Sequence, residues 1–144
     1  MSIKTTTQNK FINYVMQDGK KQTSEKLLLK SYKLIQKIQI KKNFKEIFKI
    51  ALINSSPVFF LKQIKRTKKR TLEFPFLLNN SLKLYYGIKS IISSSNVKKS
   101  LTFYEKCSSE LINSSKLISD GVKKKKEIYK TAFLTKRYAN YRWF

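Results

Sequence analysis

Histidine is absent from this chain, and cysteine occurs once, proline twice and glycine three times. Without histidine there is no usual general base, no commonest metal ligand and no histidine-dependent catalytic triad. The single thiol, Cys107, cannot form an internal disulfide, and its helical surroundings suit a buried side chain better than a reactive one. Acids are scarce as well. Asp18, Glu25, Glu46, Glu73, Glu105, Glu110, Asp120 and Glu127 are scattered, and no tight carboxylate cluster suggests a two-metal nuclease centre. Neither catalysis, a metal nor a cofactor is expected. Long apolar runs are also missing, because lysine interrupts every segment short of the roughly 20 residues that span a bilayer. The first twenty residues are polar and lack the apolar core of a secretory signal, so an unprocessed, soluble chain is expected.

What is present is positive charge. Thirty-two Lys and Arg face eight Asp and Glu, giving a net charge of +24 and a pI near 10.2. Hydrophobic residues make up 41% of the 144, enough for a folded core in a single domain and too many for a disordered basic tail. A compact body with that charge repels itself, and a dense polyanion is the simplest compensation. An anionic membrane surface could serve as that polyanion for basic amphipathic helices, and a nucleic-acid enzyme is a third reading. RNA is the partner the balance favours. Lysines number 28 and arginines four, although the planar arginine fork suits phosphate better. Gly, Pro, Ala and Arg, all with G/C-rich codons, are rare, which points to an A/T-rich organelle genome.

Apolar spacing predicts a mostly α protein: about six helices in a bundle, with one protruding β-hairpin. The helices are expected over residues 8–17, 23–39, 43–54, 80–93, 100–118 and 126–138, and the hairpin over 58–77. Gly19 suits a left-handed C-cap after the first helix. Thr23 or Ser24 is expected to cap the second and Asn43 the third. Ser93-Ser94-Ser95-Asn96 reads as a loop, Asp120-Gly121 as a break, and Lys123 to Lys126 as a solvated basic loop before the last helix. Pro75 fits only an edge or end of the hairpin.

Three constellations carry the charge. The hairpin brings Lys62, Lys65, Arg66, Lys68, Lys69 and Arg70 to its tip, either to straddle a nucleic-acid backbone or to protect an edge strand. Lys123, Lys124, Lys125 and Lys126 form the second. In the third, Arg137, Tyr138, Tyr141, Arg142 and Trp143 interleave cations with rings, which suits phosphate contact with base stacking or, alternatively, a sealed core.

The order of these features resembles the universal small-subunit ribosomal protein seven family. Asn9 to Lys21 is similar to that family's opening helix and DGKK turn. Pro57, the basic hairpin and Glu73-Phe74-Pro75 are similar to its central segment, and Val122 to Lys125 with Arg137 to Trp143 to its VKKR and closing FAHYRW. Lys68-Lys69 replaces the family's Gly-Gly at the tip, Asn79, Asn80 and Ser81 stand where arginines are usual, and Asn140 stands in place of a histidine. The resemblance implies a structural constituent of the ribosome that binds the 3′ major domain of small-subunit rRNA. It further implies a position in the subunit head, near the tRNA exit site and the mRNA path, beside head and platform proteins, with no membrane contact and no homo-oligomer. Lys20, Lys21, Lys65, Arg66, Lys123, Lys124, Lys125, Arg137 and Arg142 are the RNA contacts it implies. With the codon bias, it points to a mitochondrial ribosome first and a plastid one second.

Overall fold

Apolar stripes at helical spacing, interrupted once by a run of alternating bulk, fold into the elements that such periods dictate. The computed structural model describes residues 3–40, 43–67, 70–97 and 102–140. Among these, the order is α1 (Ile3–Val15), α2 (Lys21–Ile38), α3 (Phe44–Ser55), β1 (Phe59–Thr67), β2 (Arg70–Leu77), α4 (Asn80–Val97), α5 (Phe103–Ser115) and α6 (Asp120–Leu134), closed by a 3₁₀ turn at Lys136–Tyr138. The fold is the mostly helical one expected, with one two-stranded antiparallel sheet. No described helix is long and apolar enough to cross a membrane.

The core lies where α1 to α5 converge. Phe11, Ile35, Ile88, Ile91 and Leu111 are fully buried, and Ile47 and Phe48 nearly so. Each such side chain contributes about 1.5–3 kcal/mol by leaving water. Helix α5 packs against α2, α3 and α4, although its sequence is polar. Serines make this possible. Ser31 is buried and its hydroxyl donates to Leu27 O at 3.0 Å and to Tyr104 O at 3.1 Å, linking α2 to α5 without bulk. At Gly87 an added Cβ would collide with the Ser56 hydroxyl and lie 3.3 Å from the Ser56 Cα, so a side chain there would have to displace Ser56 where α4 passes the end of α3.

Several boundaries differ from the sequence reading. Gly19 does take a left-handed conformation, φ 71°, and so does Asp18 at 51°. Helix α2 starts at Lys21, and Thr23 and Ser24 are not caps. Their hydroxyls donate back to Lys20 O and Lys21 O at 2.6 and 2.7 Å, inside the first turn. Asn43 stands at the N-cap of α3, but its side chain makes no cap bond. Ser93 to Asn96 is not a loop. Helix α4 runs through it because Ser93 and Ser95 bond the carbonyls of Ser90 and Ile92, at 3.0 and 2.7 Å, and Ser94 and Ser95 are buried. Beyond Ser115, Leu117 adopts φ 64°, which ends α5 before residue 118.

The largest correction is at α6. It begins at Asp120 rather than residue 126, and the lysine run lies in its first turns. Ser119 is the N-cap, accepting the Gly121 N–H at 3.0 Å, and its hydroxyl donates to the buried Glu110 carboxylate. Asp120 in the first turn sets an acid at the positive end of the macrodipole, which the lysines oppose. Gly121 is no breaker: an added Cβ would meet Ser90 Oγ at 2.5 Å and Ser94 Oγ at 3.2 Å, where α6 crosses α4.

Candidate nucleic-acid interface

The hairpin, α6 and the closing turn pack together on one side of the molecule. Strand pairing runs from Phe59↔Leu77 to Thr67↔Arg70, with an irregularity between Lys65 and Thr67 that leaves Arg66 without a register partner. An extra residue of this kind raises the local twist near the end of β1. Pro75 sits opposite Leu61 in a sheet whose every strand has an open edge, where a missing N–H costs little. Tyrosines from three elements hold the hairpin: Phe60 stacks on Tyr86 at 4.8 Å, and Phe59 meets Tyr129 edge-on at 5.9 Å. Phe74 meets Tyr138 edge-on at 5.3 Å, and the Val58 N–H donates to the Tyr129 hydroxyl at 2.9 Å.

This arrangement sets the base of the hairpin against α6, while the basic residues of the hairpin lie towards the far end of its strands. Lys62 is exposed on β1; Lys65 and Arg66 end that strand, and Arg70 begins β2. Lys68 and Lys69 lie outside the described residues, as do Tyr141, Arg142 and Trp143. Lys123, Lys124 and Lys126 are exposed on α6, and Arg137 is exposed in the closing turn with its guanidinium 4.7 Å from the Tyr138 ring centre. Lys20 and Lys21 are exposed at the turn between α1 and α2, on the part of the body that packs against α4 and α5, not beside the hairpin.

The lysines of α6 are not equivalent. Lys123 pairs with Asp120 at 2.8 Å, and that hydrogen bond, with the attraction behind it, holds its pKa above the ordinary lysine value. Lys125 turns inward: its ammonium donates to Asn54 O at 2.9 Å and Ile53 O at 3.4 Å, the open carbonyls at the end of α3. Burial pushes its pKa below the usual value. Lys125 is thus a helix cap, which leaves Lys124, Lys126 and the Asp120-paired Lys123 as the outward cations of the run.

Sequence reasoning missed two features. Lys26, Lys30, Lys33 and Lys37 are all exposed on one face of α2, opposite the buried Leu28, Ser31 and Ile35, and the same helical period would have found them. The second is an apolar groove of about 580 Å³ between the hairpin (Phe59, Pro75, Phe76, Leu77) and α6 (Ala132, Phe133). The consecutive bulk of Phe59, Phe60 and Leu61 was its only sequence signal. Among the described residues, no group of Cys, Asp and Glu is placed to hold a metal ion.

A helical body with surplus cations and a hairpin packed on its last helix is a basic, mostly helical scaffold. The chain belongs to the family described as Ribosomal protein S7p/S5e, whose sequence model matches residues 2–136. That span stops short of Arg137 to Trp143. Relatives agree along most of the length. The small ribosomal subunit protein uS7 of Sulfurovum sp. is 33% identical over 93% of this chain and 85% of its own. That of Desulfitobacterium hafniense is 30% identical over the same shares. The small ribosomal subunit protein uS7m of Reclinomonas americana is 34% identical over 93% of this chain and 83% of its own.

Proposed function

We propose that the chain is a single-domain structural constituent of the small ribosomal subunit that binds the 3′ major domain of its rRNA and organises the subunit head. The observation that carries this is the charge: 32 cations face eight acids, a surplus of 24 positive charges. Family membership supports the ribosomal setting. The contacts we assign are Lys20, Lys21, Lys62, Lys65, Arg66, Lys68, Lys69, Arg70, Lys123, Lys124, Lys126, Arg137, Tyr141 and Arg142. Lys125 serves mainly to fix α6 in place. On this reading the hairpin lies towards the tRNA exit site and the mRNA path, with head and platform proteins as neighbours, no membrane contact and no homo-oligomer. The A/T-rich composition and the likeness to a uS7m protein support a mitochondrial ribosome, with a plastid one as the second reading.

Two measurements test the proposal. In organelle lysate sedimented on a gradient, the protein travels with the small subunit; a protein that stays at the top overturns the assignment. Affinity for the 3′ major domain falls by about a thousandfold or more between 50 and 200 mM salt if six to ten phosphates are neutralised. A salt-independent constant overturns the electrostatic part.

A further inference from the structure

We propose that the outer face of α2 is a further RNA-binding face, on which Lys26, Lys30, Lys33 and Lys37 hold the phosphates of rRNA. The inference rests on the ribosomal reading above and extends it to a surface outside the contacts assigned there. All four side chains are exposed, at intervals of four, three and four residues. Those intervals keep them on one helical face. At 1.5 Å of rise per residue the stripe is about 16 Å long, with its cations about one turn apart. Ser24, Leu28, Ser31 and Ile35 are buried on the opposite side, where α2 packs against α5. The lysines therefore face away from the body.

As a free surface this face works against itself. Lys26 and Lys30, Lys30 and Lys33, and Lys33 and Lys37 stand at the spacings where like charges weaken a helix. The one acid of α2, Glu25, is about 100° round the helix from Lys26, and its carboxylate faces Lys21 at 4.0 Å. Among the described residues, none of the four lysines has an acid within ion-pair distance. Lys30 lies over the Tyr104 ring of α5, 5.7 Å from its centre, which steadies the ammonium without cancelling its charge. A helix face that meets only water ordinarily alternates its signs. This one carries four cations and no anion. The same chemistry selects the partner. A row of ammonium groups without a planar fork offers point charges, which suit phosphate oxygens and read no bases. A helix lying in a membrane surface needs a broad apolar face beside its cations. Between Lys26 and Lys37 the exposed large apolar residue is Leu29 alone. A second copy of the chain would set lysine against lysine. An acidic protein surface is the competing occupant, and the test separates it from RNA.

Two charge-matched variants of the full chain decide it. One carries Lys26→Gln, Lys30→Gln, Lys33→Gln and Lys37→Gln. The other carries Lys45→Gln, Lys49→Gln, Lys89→Gln and Lys116→Gln, at exposed lysines elsewhere on the body. Both are titrated, beside the native chain, against a transcript of the 3′ major domain. The α2 variant lowers the slope of log affinity against log salt by about 3 to 4, and the control variant by about 1 or less. Hydroxyl-radical cleavage of the bound transcript shows backbone protection lost at one segment with the α2 variant and kept at the others. Without RNA the α2 variant melts no earlier than the native chain, because the substitution relieves repulsion. In small subunits, a photo-crosslinking residue in place of Lys33 joins the chain to rRNA. Three results overturn the proposal while the native chain still binds the transcript: equal salt slopes for the two variants, early melting of the α2 variant with an unchanged slope, or a crosslink from position 33 to a protein. A native chain that does not bind the transcript overturns the ribosomal reading itself, and this face with it.

Discussion

Around Leu111 the molecule is closed by burial, whereas around Phe133 it is left open. Five helices converge on Phe11, Ile35, Ile88, Ile91 and Leu111, all without exposed surface, and serine and glycine let them approach closely. The hairpin and α6 instead meet through the Tyr129 ring edge-on to Phe59 and the Tyr129 hydroxyl on the Val58 N–H, and they leave phenylalanines in water. The first region has its apolar side chains closed off from water. The second has surplus charge and surplus apolar surface together. The difference separates two jobs: one half holds a shape, and the other is finished only by what it meets.

The sharpest way to break this comparison is to injure each half once. Leu111→Ala removes a fully buried side chain and is expected to cost about 2–5 kcal/mol in denaturant unfolding. Replacing Arg66 to Lys69 by Asn-Gly is expected to leave that stability nearly unchanged. On ribosomes it should leave subunit yield intact and lower the occupancy of exit-site tRNA. If shortening the tip costs as much stability as Leu111→Ala, the hairpin is part of the body and the division fails.

A smaller effect is expected within α6. Lys124→Ala combined with Lys126→Ala removes two outward cations and should reduce the slope of log affinity against log salt by about 2, with little change in melting. Lys125→Ala uncaps α3 and should lower stability by about 1 kcal/mol while moving the salt slope less. Thermal melts and rRNA titrations of the two variants decide it. Equal behaviour of all three lysines would show that the run acts only as a block of charge.

The helices were legible because burial repeats with the helical period: Ile88 and Ile91, or Cys107 and Leu111, follow directly from spacing. The hairpin was legible from its apolar flanks around a charged link. What misled was polar composition. Ser93 to Asn96 looked like a loop because serine competes with the backbone, yet its hydroxyls found carbonyls within α4. Asp120-Gly121 looked like a break, although Gly121 serves a helix crossing that no local pattern announces. The basic surface could be read from counts alone. The inward turn of Lys125 could not, because its partner Asn54 lies 71 residues away. The groove was invisible for the same reason, being assembled from the hairpin and the end of α6.

The smallest expected effect concerns how the closed half begins to open in acid. Thr102 caps α5, and its N–H donates to Glu105 Oε2 at 3.0 Å. The Thr102 hydroxyl first, then this N–H, with the Tyr104 side chain adding less, hold the Glu105 carboxyl below the usual carboxylate range. A carboxyl with a lower pKa in the folded than in the unfolded chain stabilises the fold above its unfolded pKa. That contribution fades as pH falls through the folded value. Glu105→Gln keeps the shape and removes the charge, so it should melt slightly earlier than the native chain at pH 7. The two melting temperatures should converge as pH drops below the ordinary glutamate range. The hairpin variant, with no carboxylate removed, should keep a constant offset from the native chain over the same pH range. A Glu105→Gln gap that stays constant with pH would mean that the carboxylate charge contributes nothing, and that the start of α5 is held by packing alone.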